Sequence, residues 1–201
     1  MDNLIKYGNF KSIGKTKRKT QIILGHTSRE VEEYLASLKF RYHGKYDKLP
    51  HFVINKEGLV IQLLDTETFS NILPQINNNG IFILLENLGW LEKKVLTNHY
   101  INWKGSIYTK EVFEKKWRDY FFWDPYTENQ YESLGKLCND ICEKHNIEKV
   151  TSGHNTKFEG IERFNGIVSR SNFDVRFTDV NPSFSFETLQ KKIENEYISR
   201  Q

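Results

Sequence analysis

Apolar residues along the chain recur at two different periods, and the changes of period mark its elements. TQIILGHTS, residues 20–28, starts as an apolar run with β-branched side chains and predicts a buried strand. Thr27 and Glu30 stand at capping-box spacing, and Val31, Tyr34, Leu35 and Leu38 follow at helical period. His26 therefore falls where a strand ends and a helix begins. In PHFVINKEGLVIQLL, two β-rich runs flank NKEG, which predicts a hairpin with Gly58 in its turn. NNNGIFILLENLG predicts a turn, a fully apolar strand over residues 81–85, and Glu86 and Asn87 at its end. YTENQYESLGKLCNDICEKHNI is the clearest helix: Thr127 and Gln130 form a second capping box, and Tyr131, Leu134, Leu137, Cys138 and Ile141 line one face. EKVTSGH predicts a short strand ending at His154, and FETLQKKIENEYISR, about residues 186–200, a last helix with exposed charge.

Residues 88–124 break this order. The segment is irregular and rich in aromatics, among them Trp90, Trp103, Trp117, Tyr120 and Trp123. It reads as a packed flap or insertion, or as a set of platforms on which sugar rings or bases stack. With no repeat, low-complexity run or linker, residues 1–201 read as one α/β domain, a mixed β-sheet flanked by helices.

Composition narrows the function classes. With 29 basic and 26 acidic residues the net charge is +3, too weak to argue for nucleic acid. The one dense basic run, GKTKRKT at residues 14–20, reads as a solvated lead-in to the first strand, with an anionic cell-wall polymer or nucleic acid as the other readings. The N-terminus lacks the pattern of a signal peptide, and no apolar run approaches the roughly 20 residues of a membrane span. The expectation is synthesis in the cytosol, with release by lysis or carriage in a virion as the ways out. Cys138 and Cys142, four apart on one helix face, read as buried thiols. His154, in VTSGHNTKFEG, is either a metal ligand at a strand end or a histidine satisfied within a loop.

The order of these segments resembles the zinc-dependent N-acetylmuramoyl-L-alanine amidases, whose fold is shared with peptidoglycan recognition proteins and phage lysozymes of amidase type. The resemblance rests on HTS, HFVINKEGLVIQL, GIFILLEN, the long helix, SGH and DVNPSF, and covers about residues 20–186 apart from the aromatic insertion. It implies a cleft across one face of the sheet in which zinc, held by two histidines and a cysteine or aspartate, activates water against the lactyl–L-alanine amide. On this resemblance His154 falls on the second histidine ligand and Asp179 on the third. A rival register of DVNPSF places Asn181 there instead. His26 stands as a further candidate ligand or a binding residue, Asn87 and Arg176 as binding residues, and Glu86 or His51 as assisting groups.

Several positions depart from that pattern. The first histidine ligand is replaced by Gly25, and His26 follows it on the opposite side of the strand. Pro50 stands for an expected tyrosine, Leu84 for a glutamate, and Phe177 for a lysine. His154 and Asp179 are also much further apart in sequence than the family's ligands. Three readings follow. The chain is a degenerate amidase, a pseudoenzyme that binds peptidoglycan or a muropeptide without cutting it. Alternatively it is an active zinc amidase with a rearranged site. The third reading is a virion or structural component that reuses the fold alongside other phage proteins.

Overall fold

The computed structural model describes residues 4–7, 10, 14–16, 18–40, 48–76 and 78–199. Its main sheet has six strands in the order β1-β4-β3-β5-β2-β11. These are β1 (Leu4–Lys6), β2 (Gln21–His26), β3 (Phe52–Ile54), β4 (Val60–Gln62), β5 (Gly80–Leu85) and β11 (Gly166–Ser169). Among these strands only the β3–β4 pair is antiparallel, the hairpin predicted at NKEG, and Gly58 takes the positive φ its turn requires. The central strands β2 and β5 are buried at every position. Their unbroken apolar runs are what a parallel sheet covered on both faces demands.

Helix α1 (Val31–Phe40) covers one face with Val31, Leu35 and Leu38 against Val53, Ile61 and Leu84. Helices α2 (Glu128–His145) and α3 (Phe186–Ser199) cover the other, where Leu134, Leu137, Leu189 and Ile193 pack on Ile22, Leu24, Ile81 and Ile83. Gly135 lets α2 and α3 approach closely, since a Cβ there would lie 2.6 Å from that of Lys192. The capping box of α2 forms as predicted: Thr127 Oγ1 accepts from the Gln130 N–H, and the Gln130 side chain accepts from the Thr127 N–H. Both cysteines are free, buried thiols whose pKa values are raised by burial.

Four expectations need correction. The aromatic segment is not irregular. It forms a second, antiparallel sheet in the order β8-β7-β6-β10-β9, from β6 (Trp90–Lys94), β7 (His99–Asn102), β8 (Ile107–Tyr108), β9 (Phe113–Trp117) and β10 (Tyr120–Trp123). The strand predicted at EKVTSGH is reduced to one bridge, Thr151 to Ile167, and the strand beside β2 is β11 instead. Thr27 and Glu30 do not open the helix as a capping box, because α1 begins only at Val31; the Thr27 hydroxyl donates to the Arg29 carbonyl at 2.5 Å. The basic run 14–20 is not wholly solvated. Lys19 is 3% exposed, and its ammonium donates to the carbonyls of Thr68, Asn78 and Gly80.

Candidate functional site

Side chains alternate along β2. Ile22 and Leu24 enter the core under α2 and α3, so Gly25 faces the other way and His26 returns to the first side. The space in front of Gly25 is filled. A Cβ built on it would lie 2.4 Å from Asp179 Oδ2, 2.9 Å from Arg170 Nε and 2.9 Å from Leu84 Cδ2. Arg170 Nε donates to Asp179 Oδ2 at 2.5 Å, and the His26 main-chain N–H donates to the same oxygen at 3.0 Å. Asp179 is 1% exposed, a buried carboxylate compensated by one guanidinium and one amide N–H. Arg170 stands one residue past the end of β11, whose parallel pairing with β2 brings it level with Gly25. Its guanidinium lies over the Phe177 ring, 4.9 Å from the centroid.

The other sequence candidates divide. The His26 imidazole is buried on the far side of β2, close to Gly89, and its Nδ1 has no hydrogen-bond partner among the described residues. Burial lowers its pKa to about 4, so the ring is neutral. His154 is exposed, its Nδ1 lies 3.1 Å from Thr156 Oγ1, and its ring meets the edge of Phe158. No hydrogen bond or ion pair joins His154 to Asp179 among the described residues. The assisting role expected of His51 does not fit its surroundings. It is fully buried, its Nε2 bonds the Thr68 carbonyl, its Nδ1 accepts the Phe82 N–H, and burial lowers its pKa to about 3. Asn87 braces the base of the insertion: its Nδ2 donates to the Asp124 carbonyl, and its Oδ1 accepts from Gly89 N and Asn181 Nδ2. Asn181 is thereby a structural amide. Arg176 is exposed and paired with Asp174.

Two cavities flank this region. One, of about 420 Å³, opens beside Arg170 past the end of β2, with Phe177, Leu84, Lys48, Arg29 and Trp103 also in its walls. The other, of about 360 Å³, lies between the start of α1 and the second sheet, walled by Glu30, Glu33, Glu86, Asp124, Lys56 and Lys104 among others. Burial raises the Glu86 pKa there, and its Oε2 accepts the Lys56 N–H. Asp124 accepts from Lys56 Nζ, the Tyr108 hydroxyl and the Leu88 N–H, which ties the second sheet to the first. At the first cavity, the Trp103 indole N–H donates to the Ser28 carbonyl; from the second sheet, Arg118 also donates to the Phe177 carbonyl. The turn between β7 and β8 thus contributes Trp103 to the wall of the cleft.

A zinc carried over from the resemblance does not fit this donor set. The strand position offers no side chain, a guanidinium occupies the place beside the carboxylate, and arginine neither loses its proton nor donates a lone pair. Among the described residues no three His, Cys, Asp or Glu side chains are grouped so that they could hold a metal ion. Sequence reasoning missed Arg170. The available signal was the β-branched run GIVS immediately before it and its nine-residue spacing to Asp179.

Comparison with known proteins agrees with the fold. The model of the Amidase_2 family, N-acetylmuramoyl-L-alanine amidase, matches residues 15–167. No curated protein sequence matches significantly. Among solved structures, N-acetylmuramoyl-L-alanine amidase LysC from Clostridium intestinale is 12% identical with a TM-score of 0.59, covering 95% of this chain and 97% of that one. The hydrolase AmiA of Staphylococcus aureus, in complex with its ligand, is 8% identical with a TM-score of 0.57, covering 98% and 83%. The E. coli amidase AmiD, in complex with the substrate anhydro-N-acetylmuramic acid-L-Ala-D-gamma-Glu-L-Lys, is 16% identical with a TM-score of 0.53, covering 90% and 59%. With about three quarters of its length matched by the family model, the chain belongs to the N-acetylmuramoyl-L-alanine amidase family.

Proposed function

We propose that the chain binds peptidoglycan or a muropeptide in the cleft beside Arg170 and does not hydrolyse it by metal-assisted chemistry. The observation that carries this reading is the Arg170–Asp179 pair seated against Gly25. In this reading Gly25, Arg170 and Asp179 stand at the three ligand positions, and Arg170 takes the place that the resemblance gave to His154. The guanidinium compensates the buried Asp179 carboxylate. It offers no water to activate and no Lewis acid to polarise an amide carbonyl. Leu84 and Phe177 add apolar surface where a glutamate and a lysine were expected, which removes proton transfer and oxyanion stabilisation as well.

Binding does not need those groups. Cavity shape, the rings of Trp103 and Phe177 and the cleft's hydrogen-bond donors hold a ligand whether or not it reacts. The AmiD complex lends support by analogy: a relative of the same fold holds a muramic acid peptide. The test is an amine-release assay on muramyl peptide with added zinc, run beside sedimentation with insoluble peptidoglycan. Sedimentation without release is the expected result. Zinc-dependent release abolished by Asp179→Asn would overturn the reading in favour of an active enzyme. Neither release nor sedimentation would overturn it in favour of a structural role.

A further inference from the structure

The two cavities beside Trp103 carry opposite charge. The walls of the one near α1 include Glu30, Glu32, Glu33, Glu86 and Asp124 against three lysines. The cleft beside Arg170 also includes Arg29 and Lys48, and among the described residues no carboxylate lines it. Asp179 lies beneath the surface, 1% exposed, with its charge already met.

Arg170 is arranged to do two things. Its Nε holds Asp179, while its two Nη groups have no hydrogen-bond partner among the described residues. Phe177 supports the guanidinium plane. A guanidinium fixed at one edge and open at the other is a ready fork for a planar or tetrahedral anion. Lys48 is exposed and makes no ion pair among the described residues. At the rim, Trp103 is 41% exposed, held in place by its N–H bond to Ser28, with the Arg29 guanidinium over the ring at 5.3 Å. Arg29 is shared with Glu33 at 3.6 Å in a solvent-facing pair that leaves it donors to spare.

We infer that the cleft captures its ligand by an anionic group, a carboxylate or a phosphate, taken by the Nη groups of Arg170 together with Lys48 and Arg29, while a ring of the same ligand lies on Trp103. This rests on the proposed recognition of cell-wall fragments and adds the chemistry that selects among them. Uncharged glycan is expected to bind weakly, and an anion is repelled from the acidic cavity next door.

The experiment is calorimetric titration of the full chain with three probes: N-acetylmuramoyl-L-alanyl-D-glutamate with both carboxylates free, its diamide, and a glycerol phosphate oligomer. The free acid is expected to bind about tenfold more tightly than the diamide, with an affinity that falls as salt is raised. Lys48→Gln, at an exposed position, is expected to weaken it about fivefold, and Arg170→Lys, which keeps the charge but loses the fork, by more. Lys191→Gln on α3 serves as the charge-matched control and leaves affinity unchanged. Equal binding of acid and diamide, with no effect of Lys48→Gln, overturns the inference and leaves peptidoglycan recognition standing. Binding of the phosphate oligomer alone upholds the anion site and overturns the muropeptide as its ligand. Binding of none of the three overturns both.

Discussion

Adding a single methyl group at Gly25 tests whether the ligand position is closed. In Gly25→Ala the new Cβ would meet Asp179 Oδ2 at 2.4 Å, Arg170 Nε at 2.9 Å and Leu84 Cδ2 at 2.9 Å. Leu84 can yield by changing rotamer, but the Asp179 carboxylate cannot move without stretching its bonds to Arg170 and the His26 N–H. Overpacking of this kind costs about 1–3 kcal/mol. Weakening one charge-assisted hydrogen bond adds about 1–2 kcal/mol. Restricting the unfolded chain returns about 0.4–1 kcal/mol, because the strand conformation at residue 25 suits alanine. The net is a destabilisation of about 2–3 kcal/mol, or roughly 5–10 °C in Tm for a chain of this length. Urea denaturation and calorimetry measure it. If the pair is the obstacle, the cost of Gly25→Ala should fall when it is made in an Arg170→Ala background, since contacting residues are not additive. A change within about 0.5 kcal/mol in the natural background would mean that the space in front of Gly25 is open, and the reasoning would be refuted.

Acid should destabilise the fold through two histidines. His26 and His51 are buried and neutral, with folded pKa values lowered to about 4 and about 3, so the unfolded chain binds more protons below its ordinary pKa near 6.5 and stability falls as pH drops through that value. Each contributes a loss of about 2 kcal/mol by pH 5, and a urea midpoint unchanged between pH 7.5 and pH 5 would contradict the assignment. Arg170→Ala leaves Asp179 buried without its cation and should cost about 2–4 kcal/mol, the lower end reflecting the partial exposure of Arg170; equilibrium unfolding checks it. Thr127→Ala removes the α2 cap and the hydroxyl's bond to the Lys56 carbonyl, and should cost about 1–2 kcal/mol in the same assay.

The sequence was most legible where one period ran long enough to exclude the others. β2 and β5 are apolar without interruption, α2 repeats its apolar face over five turns and carries a satisfied capping box, and Gly58 marks the hairpin. The second sheet was illegible because it buries little. WLEKK and FEKKW, which become β6 and β9, place most of their side chains in solvent, so no apolar alternation betrays them. β11 failed for the opposite reason: GIVS is buried at all four positions and too short to separate from a loop. His154 became a candidate ligand because SGH resembles the family's second histidine, 25 residues from Asp179. With GIVS paired to β2, the residue just past the strand end is Arg170, nine residues from Asp179 along the chain.

Zinc titration of the untagged chain tests the central claim most directly, with a Gly25→His/Arg170→His double variant alongside. The variant places two imidazoles beside Asp179 in place of a glycine and a guanidinium, the donor set that a three-ligand zinc site requires. The account predicts that the natural chain takes up no stoichiometric zinc and that the variant gains it. Stoichiometric zinc on the natural chain, lost on Asp179→Asn, would contradict the account.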